Sequence, residues 1–126
     1  MPNVREVMRT DLVTTEPSTS MMEAARVMSV RQIGSTLVLE GGALVGIFTE
    51  RDILRALQGT HADAARVSSV SEWMTRDPVT IAPDASVGEA LDRMLEGGFR
   101  HLPVIEDGKL AGVVSMRDLA RSIAKG

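Results

Sequence analysis

Two stretches of this chain set a hydroxyl, an arginine and a carboxylate at the same spacing. They are G-I-F-T-E-R-D (Gly46 to Asp52) and G-V-V-S-M-R-D (Gly112 to Asp118). The residue types suit a nucleotide. A carboxylate accepts two hydrogen bonds from neighbouring hydroxyls, which fits a ribose cis-diol. The unpaired N–H groups of a helix's first turn favour an anionic phosphate. Thr49 with Asp52, and Ser115 with Asp118, are therefore the candidate ligand contacts, with Arg51 and Arg117 as charge partners beside them. The same spacing also spells a capping box, in which hydroxyl and carboxylate secure a helix start. The two roles are compatible, because the hydroxyl can cap the helix while no ligand is present.

Other chemistries find few residues to work with. The chain has no cysteine, no tyrosine and two histidines, His61 and His101, which leaves no catalytic triad and no zinc constellation. Asp52 and Asp118 each follow an arginine, which favours the ionised form over an acid–base role. No catalytic residue, no metal ligand and no catalytic cofactor is expected. A net charge of −3, interleaved charges without a basic stripe, and 2% aromatics argue against direct binding of nucleic acid. The N-terminal M-P-N-V-R-E-V-M-R-T-D carries charges where a secretory signal needs an apolar run, and no stretch approaches 18 apolar residues in a row. A soluble, cytoplasmic protein without membrane partners is expected, and the lack of cysteine fits that compartment.

The elements that must position these residues are written twice. A shift of 66 positions without a gap carries Pro17 onto Pro83, Met8 onto Met74, Val13-Thr14 onto Val79-Thr80 and Ser20 onto Ser86. It also carries Glu23-Ala24 onto Glu89-Ala90, Gly46 onto Gly112, and Arg51-Asp52 onto Arg117-Asp118. Such self-similarity marks two homologous halves, 1–58 and 66–126, with 59–65 as the polar, Ala/Gly-rich connection. In each half a short apolar turn (V-R-E-V-M; V-S-E-W-M) leads to a brief β-prone stretch ended by proline. A helix follows. Ser20 caps Met21, Ala24, Ala25, Val27 and Met28; Ser86 caps Val87, Ala90, Leu91 and Met94. Two strands joined by a Gly-Gly or Asp-Gly turn come next, and a last helix starts at each motif. One half alone would bury only a marginal core, so the halves are expected to pack as a sandwich and bring both motifs to a shared cleft.

The order V-x-x-V-M or V-x-x-W-M, V-T before a proline, and R-H-L-P-V-I-E-D-G-K-L-A-G-V-V-S-M-R-D resembles a CBS domain, and two in tandem resemble a Bateman module. The resemblance spans nearly the whole chain. It implies an α/β (α+β sandwich) fold of tandem βαββα repeats about a pseudo-two-fold axis, with homodimers of such pairs common. It further implies a regulatory module that senses adenosine-containing ligands: AMP, ADP, ATP or S-adenosylmethionine. In such modules the motif hydroxyl contacts phosphate and the aspartate contacts the ribose, which maps onto Thr49 with Asp52 and Ser115 with Asp118. The alternative is a dimerising interaction module that binds no ligand.

Further residues are weighed on the same terms. Arg100-His101 stands where CBS-like modules place basic groups against phosphates, and the 66-residue shift brings the pair onto Gly34-Ser35, so the second half is expected to hold a phosphorylated ligand more tightly. Val13 and Val79 are expected to offer backbone groups and an apolar wall to an adenine ring. The methionines, Met8, Met21, Met22, Met28, Met74 and Met94 among them, read as core filler. Trp73, whose counterpart is Val7, reads as a packing residue, with a subunit interface as one place for it. Gly97-Gly98-Phe99 reads as a helix-to-strand turn.

Overall fold

The computed structural model describes residues 2–59 and 61–125; Thr60, within the expected connection, lies outside them. The chain forms two compact units, residues 13–78 and residues 1–12 with 79–126. The repeat in the sequence and the packing of the chain thus cut it at different places. The opening segment packs with the strands of the second copy, and the segment just before residue 79 packs with those of the first.

In unit 13–78 the elements are β1 (Thr14–Thr15), α1 (Met21–Arg31), β2 (Ser35–Glu40), β3 (Ala43–Thr49), α2 (Glu50–Gln58), α3 (Ala62–Val67), a single 3₁₀ turn at Val70–Glu72 and β4 (Thr75–Arg76). The sheet order is β1-β2-β3-β4, with β1 parallel to β2 and the other pairs antiparallel. The second unit holds a 3₁₀ turn at Val4–Glu6, α4 (Val87–Gly97), β5 (His101–Glu106), β6 (Lys109–Ser115) and α5 (Met116–Lys125). The equivalents of β1 and β4 shrink there to single bridges: Ile81 lies parallel to Val104, and Arg9 pairs antiparallel with Val113. Each unit therefore carries the expected strand–helix–strand–strand–helix order, in a mixed α/β fold.

The local signals act as the sequence leads one to expect. Ser20 accepts from the Glu23 N–H at 3.1 Å and Ser86 from that of Glu89 at 3.0 Å, so each hydroxyl satisfies an otherwise unpaired donor at its helix start. The hairpin turns put two consecutive residues at positive φ, Gly41 (59°) with Gly42 (84°) and Asp107 (52°) with Gly108 (77°), which is the conformation that twisted hairpins favour. Both hairpins slip register at matching points, after Val38 and after Val104, so even the irregularity is repeated. The motif glycines have a packing reason. A Cβ on Gly112 would stand 2.7 Å from the Arg9 carbonyl oxygen, and one on Gly46 would stand 3.0 Å from that of Thr75, so each keeps room for the strand crossing it.

Each unit has its own core. Met21, Ala24, Met28, Val38, Phe48, Ala56, Ala65, Val70 and Met74 fill the first; Val4, Ile81, Val87, Ala90, Met94, Leu102, Val104, Val114 and Leu119 fill the second. Most of the named methionines are core filler, but Met22 is exposed, because it lies a single residue out of phase with Met21, Ala24 and Met28 on α1. The expected connection is also more ordered than a loop. Its alanines favour a helix, and Ala65 buries itself in the first core, which anchors α3. On the second unit Arg5 pairs with Glu106 and holds that carboxyl below its ordinary range, chiefly through their hydrogen bonds, which ties the opening segment to β5.

Candidate functional site

The topology collects the candidate residues at one end of each sheet. In unit 13–78, β1 and β2 are parallel and start at the same end; β3 finishes there and α2 begins at once. Ser35 lies opposite Thr49 on the ladder, and the Glu50 N–H donates to the Gly34 carbonyl at 3.1 Å. Val13, just ahead of β1, accepts from the Leu37 N–H at 3.2 Å. The second unit repeats the arrangement. His101 lies opposite Ser115, and the Met116 N–H donates to the Arg100 carbonyl at 2.8 Å. Val79 stands two residues before the Ile81 bridge with 49% of its surface open, an apolar side chain left to solvent at the end where α5 starts. Arg51 and Arg117, in the first turns of α2 and α5, are exposed.

The two carboxylates differ in what they hold. Asp118 makes a reciprocal capping box: its Oδ2 accepts from the Ser115 N–H at 2.9 Å, and its own N–H donates to Ser115 Oγ at 3.1 Å. It is half-buried, and among the described residues no ion pair to it is found. Asp52 is almost wholly buried, at 4% exposure. Its Oδ2 accepts from both the N–H of Thr49, at 2.8 Å, and the Thr49 hydroxyl, at 3.3 Å. Its Oδ1 accepts from Arg55 Nη2 at 2.9 Å. So the first copy closes on itself, while in the second no hydrogen bond to Asp118 Oδ1 is found among the described residues.

The family model for the CBS domain matches residues 4–59 and 68–125. This chain belongs to the CBS-domain family. A 17.7 kDa protein of Acidianus ambivalens is 41% identical over 122 residues, which cover 95% of this chain and 72% of that protein. The crystal structure of the CBS-domain containing protein ATU1752 from Agrobacterium tumefaciens superposes with a TM-score of 0.90 at 34% identity, covering 96% of this chain and 98% of that one. The CBS domain pair of protein MJ0100, solved in complex with 5′-methylthioadenosine and S-adenosyl-L-methionine, superposes with a TM-score of 0.89 at 26% identity, covering 99% and 98%. The chain is thus two CBS repeats. Among the described residues no helix is long and apolar enough to cross a membrane.

For the CBS pair, the geometry sorts the residues expected from the sequence. Thr49 with Asp52, and Ser115 with Asp118, come together as pairs, each at a helix start, with β2 alongside the first and β5 alongside the second. Arg55, three residues on, is seated on Asp52, a partner that the sequence reading did not single out. A helix brings residues three apart to one face and turns neighbours away from each other, and that spacing was the signal available for Arg55. Trp73 packs against the first core, as expected of a packing residue, and also lies under Arg55, with the guanidinium 5.9 Å from the ring centroid. Gly98 takes a left-handed φ of 72° and ends α4, its N–H donating to Met94 at 2.9 Å, so the Gly97–Phe99 stretch is a turn between helix and strand.

Proposed function

We propose that this CBS pair is a regulatory Bateman module that binds an adenosine-containing ligand, with the Ser115–Asp118 copy as its principal site. The single observation behind this is the half-buried Asp118 carboxylate, one oxygen tied to the Ser115 N–H and no ion pair to it found among the described residues, at the start of α5. A ribose diol can take the open acceptor positions, and the phosphate of AMP, ADP or ATP can take the first-turn N–H groups with the Ser115 hydroxyl. Arg100 and Arg117 supply positive charge on that side and His101 a ring N–H donor, where the first copy has Gly34 and Ser35 in place of Arg100 and His101. The exposed Val79 offers an apolar edge to the base. The MJ0100 pair, solved with two adenosine-derived ligands, supports this ligand class. Catalysis has no part in the proposal.

Thermal unfolding of the full chain against AMP, ADP, ATP, S-adenosylmethionine, GMP and CMP tests it. An adenine ligand at a hundred times its Kd stabilises the folded chain by about 2.7 kcal/mol. No adenine ligand raising the melting temperature above the GMP and CMP controls is the opposing result, and it would favour a ligand-free interaction module. His101 adds a second test. A ring N–H of His101 can donate to the phosphate, so His101→Ala weakens AMP more than adenosine. Equal losses for both ligands would remove His101 from the phosphate.

The module is further proposed to work as a homodimer. The exposed apolar residues Leu54 and Leu57 on α2 and Ile123 on α5 support that assembly. Light scattering at micromolar concentration should give twice the 13.5 kDa chain mass, and a species of 13.5 kDa alone would contradict it.

A further inference from the structure

Resting on the reading of Thr49 and Asp52 as a second adenosine site, we propose that Arg55, seated on Trp73, is a latch that occupies the Asp52 carboxylate and sets this site against ribose diols. Three hydrogen bonds converge on Asp52: from the Thr49 N–H, the Thr49 hydroxyl and Arg55 Nη2. A carboxylate offers about four acceptor positions, so an arriving diol finds no pair of them vacant until Arg55 leaves. The 4% exposure of Asp52 makes the same point in steric terms.

Arg55 is held from three sides. Its Nη2 donates to Asp52 Oδ1 at 2.9 Å and to the Trp73 carbonyl at 3.0 Å, and its guanidinium lies over the indole. Arginine on a tryptophan face gains cation–π attraction that lysine matches less well in this planar geometry. Trp73 is itself fixed, with Nε1 donating to Ser68 Oγ at 2.8 Å. The other repeat supplies the comparison. It keeps an arginine at the matching position, Arg121, but has Val7 where Trp73 stands, and among the described residues its aspartate has no ion pair. The indole, more than the arginine, therefore distinguishes the latched copy from the open one. Trp73 lies in the segment that the second repeat contributes to unit 13–78, so the second copy's sequence controls the first copy's site.

The test uses the full chain carrying Asp118→Ala, which weakens the Ser115 site, so that a gain in AMP affinity on a further change near Asp52 reports the Thr49 site. AMP is titrated by calorimetry into that variant, then into the same variant with Trp73→Val or with Arg55→Gln added. Each added change is expected to tighten AMP binding by about tenfold or more. A gain in affinity is something a merely structural loss would not produce. Trp73→Val installs the residue the other repeat tolerates, so it carries the test should Arg55→Gln fail to fold. Unchanged or weaker AMP binding in the added variants overturns the latch while leaving the Ser115 site standing. Absence of AMP binding by the parent chain overturns both.

Discussion

Asp118→Ala is expected to weaken AMP binding by about tenfold or more, while Asp52→Ala changes it by less than about twofold. The reasoning follows the hydrogen bonds. A ribose diol gives the Asp118 carboxylate two hydrogen bonds, and a bond to a charged group contributes about 1.5–3 kcal/mol. Losing even one such bond is enough for a tenfold change. Asp52 has its acceptors committed to Thr49 and Arg55, so removing it subtracts little from a ligand it does not serve. Its loss is felt in stability instead. The Thr49 N–H loses its acceptor, and Arg55 keeps only the Trp73 carbonyl and the indole face. Asp118→Asn keeps one acceptor oxygen and should fall between wild type and alanine. If Asp52→Ala proves the more damaging change to AMP affinity, the assignment of the dominant site is wrong.

Phe48→Ala should destabilise the protein by about 3–5 kcal/mol, the range for deleting a buried aromatic ring. Phe48 is fully buried on β3, and its core neighbours include Met21 and Met28 from α1 and Val70 and Met74 from the segment before β4. Residues far apart in sequence share this cluster, so the cavity is not expected to be filled by the shift of a single element. Trp73 packs against the same cluster and is the chain's only tryptophan, so its fluorescence follows the unfolding of this unit in urea. A loss below about 1 kcal/mol would mean that the core collapses freely around the gap, contrary to its close packing.

Much of the fold lies in short-range signals that the sequence states openly. Ser20 and Ser86 before their apolar periodic runs, Gly41-Gly42 and Asp107-Gly108 between β-prone runs, and the ungapped repeat of 66 positions lead directly to the caps, turns and strand order observed. Long-range pairing left no such trace. Nothing around Arg9 announces that its backbone pairs with Val113, or that Asp77 donates to the Val45 carbonyl, so the packing units could not be separated from the repeats. These contacts join segments by backbone hydrogen bonds, and backbone groups carry no residue code. The helix α3 was hidden in the same way, because six residues rich in alanine read equally as linker until Ala65 is seen to be buried.

The candidate site was legible as chemistry and less so as electrostatics. Thr49, Asp52, Ser115 and Asp118 meet in pairs because the hydroxyl closes a strand and the aspartate lies in the helix turn that follows, an arrangement local enough to read from spacing. The difference between the copies was legible only in part. The excess of basic residues at Arg100-His101 is visible in the sequence, but the closure of Asp52 depends on Trp73, which lies 21 positions away and reaches the site through tertiary packing.

Calorimetric titration of the full chain with AMP and, separately, with 2′-deoxy-AMP tests the central claim most directly. The two ligands differ by the hydroxyl that completes the diol. If the module recognises adenosine through Asp118, AMP gives saturable heat, and the deoxy compound binds about tenfold more weakly or worse, as a site built to pair a hydroxyl discriminates against its absence. Equal heats and equal affinities for the two would contradict recognition of the diol. No heat from AMP at millimolar concentration would contradict binding of the nucleotide itself.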